Sequence, residues 1–373
     1  MTHPQRVVLS ANSAWNVVNF RGALVRALKG CGYEVFVMAP PDPTGRLQEL
    51  DVQHIEVPIE RSGLDPVADL SLVLNYRRIL KQLQPAAYLG FTIKPNIYGA
   101  IAARGLAIPV IANISGLGTT FIKRGPLQAL VTRLYRFALR RAGVVFFQNP
   151  DDRALFVKRR LVSADRTRLL PGSGVDLDRF RQLPLPRGHV TLLFIGRLLG
   201  DKGVRELAEA TRRLRASYPR LRVQLLGPID PDNRTAISRA ELEDWISYAT
   251  VEYLGESNDV QPFIQKATAI VLPSYREGLP RSLLEAGAMG RPLIATDVPG
   301  CREVVEDEVN GFLCQVRSAS SLAEAMARLL SLSPEQLSAM GSASRQKVES
   351  QFSESFVIDA YLDALGNVAA QRS

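Results

Sequence analysis

Between residues 6 and 149, short apolar β-rich runs alternate with longer segments whose apolar residues recur every three or four positions. The runs "RVVLSA" (6–11), "YEVFVMAP" (33–40), "AAYLGF" (86–91), "VIANIS" (110–115) and "VVFFQN" (144–149) predict strands. The segments "NFRGALVRALKGCG" (19–32), "DLSLVLNYRRILKQLQP" (69–85), "PNIYGAIAARGLAIP" (95–109) and "PLQALVTRLYRFALRRAG" (126–143) predict helices. Uninterrupted apolar strands that alternate with helices imply a parallel sheet covered on both faces.

A proline-rich break, "RQLPLPRGHV" (181–190), interrupts this rhythm, which then restarts. Strands are expected at "VTLLFIGRL" (190–198), "LRVQLLGP" (221–228), "TVEYLGE" (250–256), "AIVLPS" (269–274), "PLIAT" (292–296) and "VNGFLCQV" (309–316). Helices are expected at 202–219, 241–249, 260–267 and, as "RSLLEAGAM", at 281–289. The pattern predicts two doubly wound α/β domains facing each other across a cleft. In such folds ligands bind outside the carboxyl ends of the strands.

A length of 373 residues suits two domains better than one core, and 46% hydrophobic residues can fill both. No apolar run is long enough to cross a bilayer. The opening "MTHPQRVVLSANSAW" turns polar too soon for a signal peptide, so a cytoplasmic location is expected. Cys31, Cys301 and Cys314 are scattered and read as reduced, mostly core thiols. His3, His54 and His189 lie far apart, which argues against zinc chemistry and a Ser-His-Asp hydrolase.

Charge separates the halves. Residues 1–181 carry 25 basic against 13 acidic side chains, and the remainder 21 against 24. The excess is either solvated surface or a face that meets an anionic partner. One stretch concentrates it: Lys123, Arg124, Arg133, Arg136, Arg140 and Arg141 accompany Leu127, Leu130, Leu134, Phe137 and Leu139. A cationic amphipathic helix of this kind can lie on an anionic leaflet.

Candidate chemistry centres on "SYREGLPRSLLEAGAMGRP" (274–292). Pro280 suits the first turn of a helix, where its missing N–H costs nothing. The free N–H groups and positive dipole end of that helix attract anions, phosphate above all. Gly278 keeps no side chain between a ligand and the backbone. Single glutamates in such places are commonly cap acids or solvated helix residues. Here the apolar neighbours Leu283, Leu284, Ala286, Ala288 and Met289 imply burial, and a buried acid needs partners. "LLFIGRLLGDKG" places Arg197 just past a strand and Lys202 at a helix start. A guanidinium fork and a mobile ammonium both suit a diphosphate.

At these residues the chain resembles the retaining glycosyltransferases of family 4, which have the GT-B fold. "EGLPRSLLE" (277–285) is similar to their pair of glutamates with seven residues between them, and "GR" (196–197) and "DKG" (201–203) resemble the other half of the signature. "PGSGVDLDRF" (171–180) resembles the segment leading into their second domain. The resemblance implies an acceptor domain over 1–180, onto which a C-terminal helix at about 353–373 packs back, and a nucleotide-sugar domain over 181–352. It also implies that Arg197 and Lys202 hold the donor diphosphate, with Gly196 beside them. Glu285 would accept from ribose hydroxyls, while Glu277, Gly278, Leu279 and Pro280 position the donor sugar and pyrophosphate.

"SANSAWNVVNFR" (10–21), "GFTIKPNIYG" (90–99) and "ISGLGTTF" (114–121) resemble a narrower bacterial branch. Its members add galactose, N-acetylgalactosamine or related sugars to lipid-diphosphate-linked saccharides during polysaccharide or glycan assembly. The acceptor residues implied are Asn12, Asn16, Lys94, Ser115, Gly116 and Thr119, with Lys94 toward acceptor phosphate. Many relatives carry a glycine pair in the first loop, where this chain has "SANSAWN", and a histidine near Asn113–Gly118, where it has none. Without that histidine the implied course is front-face attack, in which the leaving diphosphate oxygen takes the acceptor proton and no metal is needed.

A lipid-linked acceptor also implies peripheral attachment to the inner face of the cell membrane. "DLD" (176–178) and "DPD" (230–232) are read as turns rather than metal ligands. Two rival functions fit the residues less well. A nucleotide-sugar epimerase shares the architecture but lacks its cleft histidines here. A nucleic-acid binder lacks aromatic platforms and recognition modules.

Overall fold

Strands that are apolar on both faces need cover on both faces, and the computed structural model of the chain contains two sheets built that way. It describes residues 5–60, 65–117, 126–248 and 250–370. The chain divides into one unit of residues 1–173 with 354–373 and a second of residues 174–353.

The first unit runs β1 (Arg6–Ser10), α1 (Ala14–Gly30), β2 (Glu34–Ala39), β3 (Gln53–Glu56), α2 (Pro66–Leu83), β4 (Ala87–Phe91), α3 (Ala100–Arg104), β5 (Val110–Ile114), α4 (Pro126–Leu139), β6 (Val144–Phe147), α5 (Pro150–Lys158) and β7 (Thr167–Leu169). The second runs β8 (Thr191–Ile195), α6 (Val204–Leu214), β9 (Arg222–Leu226), α7 (Arg239–Ser247), β10 (Glu252–Tyr253), α8 (Gln261–Lys266), β11 (Ala269–Leu272), α9 (Arg281–Ala288), β12 (Leu293–Thr296), β13 (Gly311–Cys314), α10 (Ala319–Leu330) and α11 (Pro334–Gln351). The last helix, α12 (Glu354–Ala370), returns to the first unit.

Every pairing in both sheets is parallel. The first sheet has the order β3-β2-β1-β4-β5-β6-β7 and the second β10-β9-β8-β11-β12-β13. Strand order reverses between β1 and β4 in one and between β8 and β11 in the other. Those are the places where a doubly wound sheet opens for a ligand.

Two cores sandwich the first sheet. Leu72, Tyr76 and Ile79 of α2, Ala102 and Ala103 of α3, Val131 and Tyr135 of α4 and Phe156 of α5 cover one face. Val17, Leu24 and Leu28 of α1 cover the other with Val357, Tyr361 and Leu365 of α12. One core fills the second unit, from Leu192 on β8 to Val348 on α11.

Several boundaries moved, for local reasons. Helix α1 begins at Ala14 rather than 19, because Ser13 accepts the Asn16 N–H and caps it. The helix expected at 95–109 starts as a π-turn at Pro95–Gly99 and ends at Arg104. Pro280 is the N-cap of α9 rather than a first-turn residue, and its carbonyl receives the Leu283 N–H. The pattern gave no sign of β3, α5, β7, α10 or α11. Strand β3 reads "QHIE" at the sheet edge and buries none of its residues fully, so no apolar period marks it.

Candidate functional site

In the second unit, the segments after β8 and β11 are brought together by backbone contact that tolerates no side chains. Gly203 opens α6 at φ 73°, and a Cβ there would sit 2.1 Å from the Pro273 carbonyl oxygen. Alanine would carry both the steric clash and the cost of a left-handed backbone. The Tyr275 N–H donates to the Asp201 carbonyl at 2.9 Å, so the β11 exit is stitched to the turn holding Lys202. A third segment closes in from β12. Gly300, at φ 90°, would push a Cβ to 2.6 Å from the Gly278 carbonyl oxygen, and the Glu277 N–H donates to Pro299.

This packing places Lys202 against Glu277, whose side chains form an ion pair that is mostly shielded from water. Buried Cys301 lies behind them, its thiol pushed up by burial and by the nearby Glu277 carboxylate. Arg197 does not join the pair. Its Nη1 donates to Asp230 Oδ2 at 2.8 Å, and the guanidinium stays half exposed. Asp230 is the first acid of "DPD", which the sequence offered only as a turn.

Glu285 is buried on α9 and is held by the Arg281 Nε at 2.7 Å, one helical turn back. Burial raises its carboxyl above the ordinary range, while Arg281 and the more distant Arg179 pull it down and Asp259 pushes it up. Arg197, Lys202 and Arg281 thus each rest on a carboxylate.

The helices differ in how they start, and α3 and α8 lack a side-chain cap. Side chains cap α1, α2, α5, α7, α10 and α11, through Ser13, Asp65, Asn149, Ser238, Ser318 and Ser333. Helix α6 starts on Gly203 and α9 on Pro280, and neither has a side-chain cap. The first turn of each helix brings backbone N–H groups and the positive dipole end to the carboxyl ends of β8 and β11. Nearby, Ser274 Oγ is buried without a hydrogen-bond partner. The Tyr275 hydroxyl donates to Glu206 Oε1 at 2.6 Å, and burial with that carboxylate pushes its pKa up to about 12.

In the first unit, Asn12 and Asn16 follow β1, Lys94 follows β4, and Ser115 and Gly116 follow β5, all at carboxyl ends around the switch point. Thr119 lies outside the described residues, as do Lys123 and Arg124. Asn16 Oδ1 is buried without a partner. Lys94 is engaged already: its Nζ lies 2.9 Å from Asp69 Oδ1 and 3.8 Å from Glu60, and Tyr98 donates to the other Asp69 oxygen at 2.7 Å. Its charge is balanced at rest, so an acceptor phosphate would have to compete with Asp69.

The motif reading passed over several residues. Thr92, two residues before Lys94, adopts φ 68° and buries its Oγ1 without a partner. A β-branched residue in that conformation is strained. Arg281 was legible, because an Arg and a Glu four apart on a helix meet. Asp69 and Asp230 carried no signal, since their partners are 25 and 33 residues away.

Residues 18–172 match the model of a glycosyl transferase 4-like domain, and residues 189–332 match that of glycosyl transferases group 1. The chain is 26% identical over 377 residues to the N,N'-diacetylbacillosaminyl-diphospho-undecaprenol alpha-1,3-N-acetylgalactosaminyltransferase of Campylobacter jejuni, covering 96% of this chain and 97% of that one. It is 24% identical to the UDP-Gal:alpha-D-GlcNAc-diphosphoundecaprenol alpha-1,3-galactosyltransferase of Escherichia coli, over 74% of this chain and 75% of that one. The sucrose-phosphate synthase of Thermosynechococcus elongatus superposes with TM-score 0.80 at 20% identity, covering 99% of this chain and 100% of that one. Anabaena HepE in complex with UDP-glucose gives 0.80 at 17%, covering 97% and 99%. The fold is GT-B.

Proposed function

We propose a donor, an acceptor and a stereochemical course for this chain, which belongs to the glycosyltransferases and pairs a 4-like domain with a group 1 domain. Its activity is glycosyl transfer in the assembly of polysaccharides or lipid-linked saccharides. The specific reading is transfer of a hexose or N-acetylhexosamine from a UDP-sugar to a lipid-diphosphate-linked sugar, with retention and without a metal. The printed activities of the Campylobacter and Escherichia relatives support the acceptor class.

One observation carries the donor side. The two helices that follow the switch-point strands both start uncapped, and Lys202 meets Glu277 between those starts. A diphosphate fits there, taking hydrogen bonds from first-turn N–H groups and charge from Lys202 and Arg197. Glu285 accepts from the ribose hydroxyls, and Glu277 with Gly278, Leu279 and Pro280 positions the sugar. The diphosphate displaces Glu277 from Lys202, which frees that carboxylate to face sugar hydroxyls.

In the reaction the acceptor oxygen bonds to the anomeric carbon as the carbon–oxygen bond to the diphosphate breaks. The departing phosphate oxygen takes the acceptor proton. Charge grows on the leaving group, where Lys202 and Arg197 stabilise it more than in the ground state. On the acceptor side Asn12, Asn16, Lys94, Ser115, Gly116 and Thr119 are the contacts, with Lys94 exchanging Asp69 for acceptor phosphate. The enzyme reaches its acceptor from the membrane surface, attached peripherally.

The test is incubation with a panel of UDP-sugars and lipid-diphosphate acceptors, with and without EDTA, followed by NMR of the new linkage. Glycolipid with the donor's anomeric configuration, formed equally with chelator, is expected. An inverted linkage, loss of turnover with EDTA, or a changed sugar without acceptor would each defeat the corresponding part.

A further inference from the structure

Two strand exits in the second unit are tied to each other by their backbones. The segment after β8 (196–200) and the loop after β9 (227–237) run side by side. The Gly196 N–H donates to the Leu226 carbonyl at 2.9 Å, Leu198 to Pro228 at 3.0 Å and Gly200 to Thr235 at 2.6 Å, and Ile237 donates back to Leu198 at 3.0 Å. At the start of the loop a Cβ on Gly227 would sit 2.0 Å from the Gly196 carbonyl oxygen. Inside the loop the Asn233 N–H closes a turn on the Asp230 carbonyl at 3.0 Å. Asn233 Oδ1 then takes the N–H and the hydroxyl of Thr235, each at 3.0 Å. The main chain thus sets how far Asp230 stands from Arg197.

The side chains themselves hold on lightly. Asp230 Oδ2 accepts one hydrogen bond, from Arg197 Nη1 at 2.8 Å, and neither side chain makes another among the described residues. Other pairs of the unit are bound more firmly. Glu241 takes two bonds from Arg205, and Glu252 takes two from Arg222 and a third from Gln224. The Arg197 and Asp230 side chains are 53% and 30% exposed, so water can solvate whichever group is released. A wet pair with a single bond separates easily. A carboxylate and a diphosphate on one guanidinium would also repel each other.

We propose that Asp230 is a place-holder for the donor diphosphate. It occupies Arg197 at rest, yields it when the nucleotide sugar binds, and takes it back as the nucleoside diphosphate leaves. The inference rests on Arg197 holding the donor diphosphate, as proposed above. Asp230 acts through Arg197 and is a positioning residue. Cations strong enough to stabilise a departing diphosphate would also retain it as product. Because the loop stays stitched to the β8 exit, the displaced carboxylate remains beside Arg197 at high effective concentration, and its return loosens the hold on the product.

The experiment is titration calorimetry of UDP into the full chain, with UDP inhibition of turnover measured alongside. Asp230→Asn keeps the size of the side chain and an oxygen for Arg197, and removes the charge. It should melt like wild type, since backbone bonds hold the loop. It should bind UDP about fivefold tighter, with an inhibition constant lowered to match. Asp232 carries the same charge two residues on and is exposed, so Asp232→Asn should bind UDP like wild type. Weaker binding in Asp230→Asn would mean that the carboxylate orients Arg197 and does not compete for it. That result, unchanged binding, or equal tightening in Asp232→Asn would overturn the proposal. Arg197→Gln tells two failures apart. If it binds UDP like wild type, Arg197 is not on the diphosphate and the donor reading itself falls. If it weakens UDP while Asp230→Asn changes nothing, only the place-holder is lost.

Discussion

In the second unit Arg205 pairs with Glu241, Arg222 with Glu252, Arg302 with Asp297 and Arg345 with Glu349. Even the cations proposed for the donor rest on acids, Arg197 on Asp230 and Lys202 on Glu277. On the outer layer of the first unit, Arg133, Arg136, Arg140 and Arg160 line one groove and have no carboxylate partner among the described residues. The same residue type is thus used in two ways. A paired cation has its position fixed before a ligand arrives, and the ligand must replace one anion with another. An unpaired cation on an open surface has its charge available at long range, falling off over a Debye length of about 8 Å at physiological salt. The first arrangement suits a small dianion bound in one pose, the second a broad surface met in many.

The strongest way to break this contrast is to remove a paired cation from the donor end. Lys202→Ala should lower kcat about 100- to 1,000-fold, as expected when a charge that stabilises the leaving group is lost. Wild-type kcat in the variant would mean that the Lys202–Glu277 pair is only structural.

Arg291 supplies the structural counterpart. It is fully buried, and it donates to the carbonyls of Ile264, Leu183, Pro184 and Gln265 at 3.0–3.2 Å. Burial without an acid lowers its pKa to about 10. Arg291→Ala would leave those carbonyls unsatisfied and should cost about 3–5 kcal/mol of stability in denaturant titration. A loss under about 1 kcal/mol would show that water replaces the guanidinium there.

Glu285 separates folding from binding in one residue. Its folded carboxyl holds its proton to higher pH than in the unfolded chain, so ionising it costs stability as pH climbs above about 4.3 and through its folded value. Glu285→Gln removes that cost. The ligand-free protein should melt higher than wild type at neutral pH and no higher in acid. UDP-sugar affinity should fall by about 1–3 kcal/mol in titration calorimetry. Unchanged affinity would remove Glu285 from the donor site, and unchanged melting at neutral pH would mean that Arg281 fully offsets burial.

How much of this was written in the sequence depends on range. Strands buried on both faces announce themselves, which is why β1, β4 and β11 were placed within two residues and β8 within three. Arg197, Lys202, Glu277 and Glu285 were legible because each lies beside a strand exit or a helix start. Their resting partners were not. The Lys202–Glu277 contact spans 75 residues, and it exists because β8 and β11 are neighbours, which strand patterns alone do not fix. Helix α4 shows a different limit. Its amphipathic pattern is real, but Leu139 is fully buried and Leu134 packs against the core, so most of its apolar face is spent on folding. Only the structure shows that Leu130 and Phe137 remain outside, as do Val67, Leu70 and Leu74 on α2.

The smallest effect is also the most direct check on the contrast. Arg222 holds Glu252 through two hydrogen bonds of 2.7 and 2.6 Å, with Gln224 on the same carboxylate. The Arg222 fork lowers the Glu252 pKa, with Gln224 helping, while partial burial opposes the shift. Arg222→Ala should cost about 0.5–1 kcal/mol, the usual worth of an exposed pair with good geometry. Arg133 has no such partner, and its neighbours in the groove are other arginines. Arg133→Ala should leave the melting temperature unchanged or raise it slightly, since it relieves repulsion and breaks no pair. The difference should shrink as salt is added, because both effects are screened. If instead Arg133→Ala destabilises as much as Arg222→Ala, its charge is already spent within the fold, and the first unit's cations are not waiting for a surface.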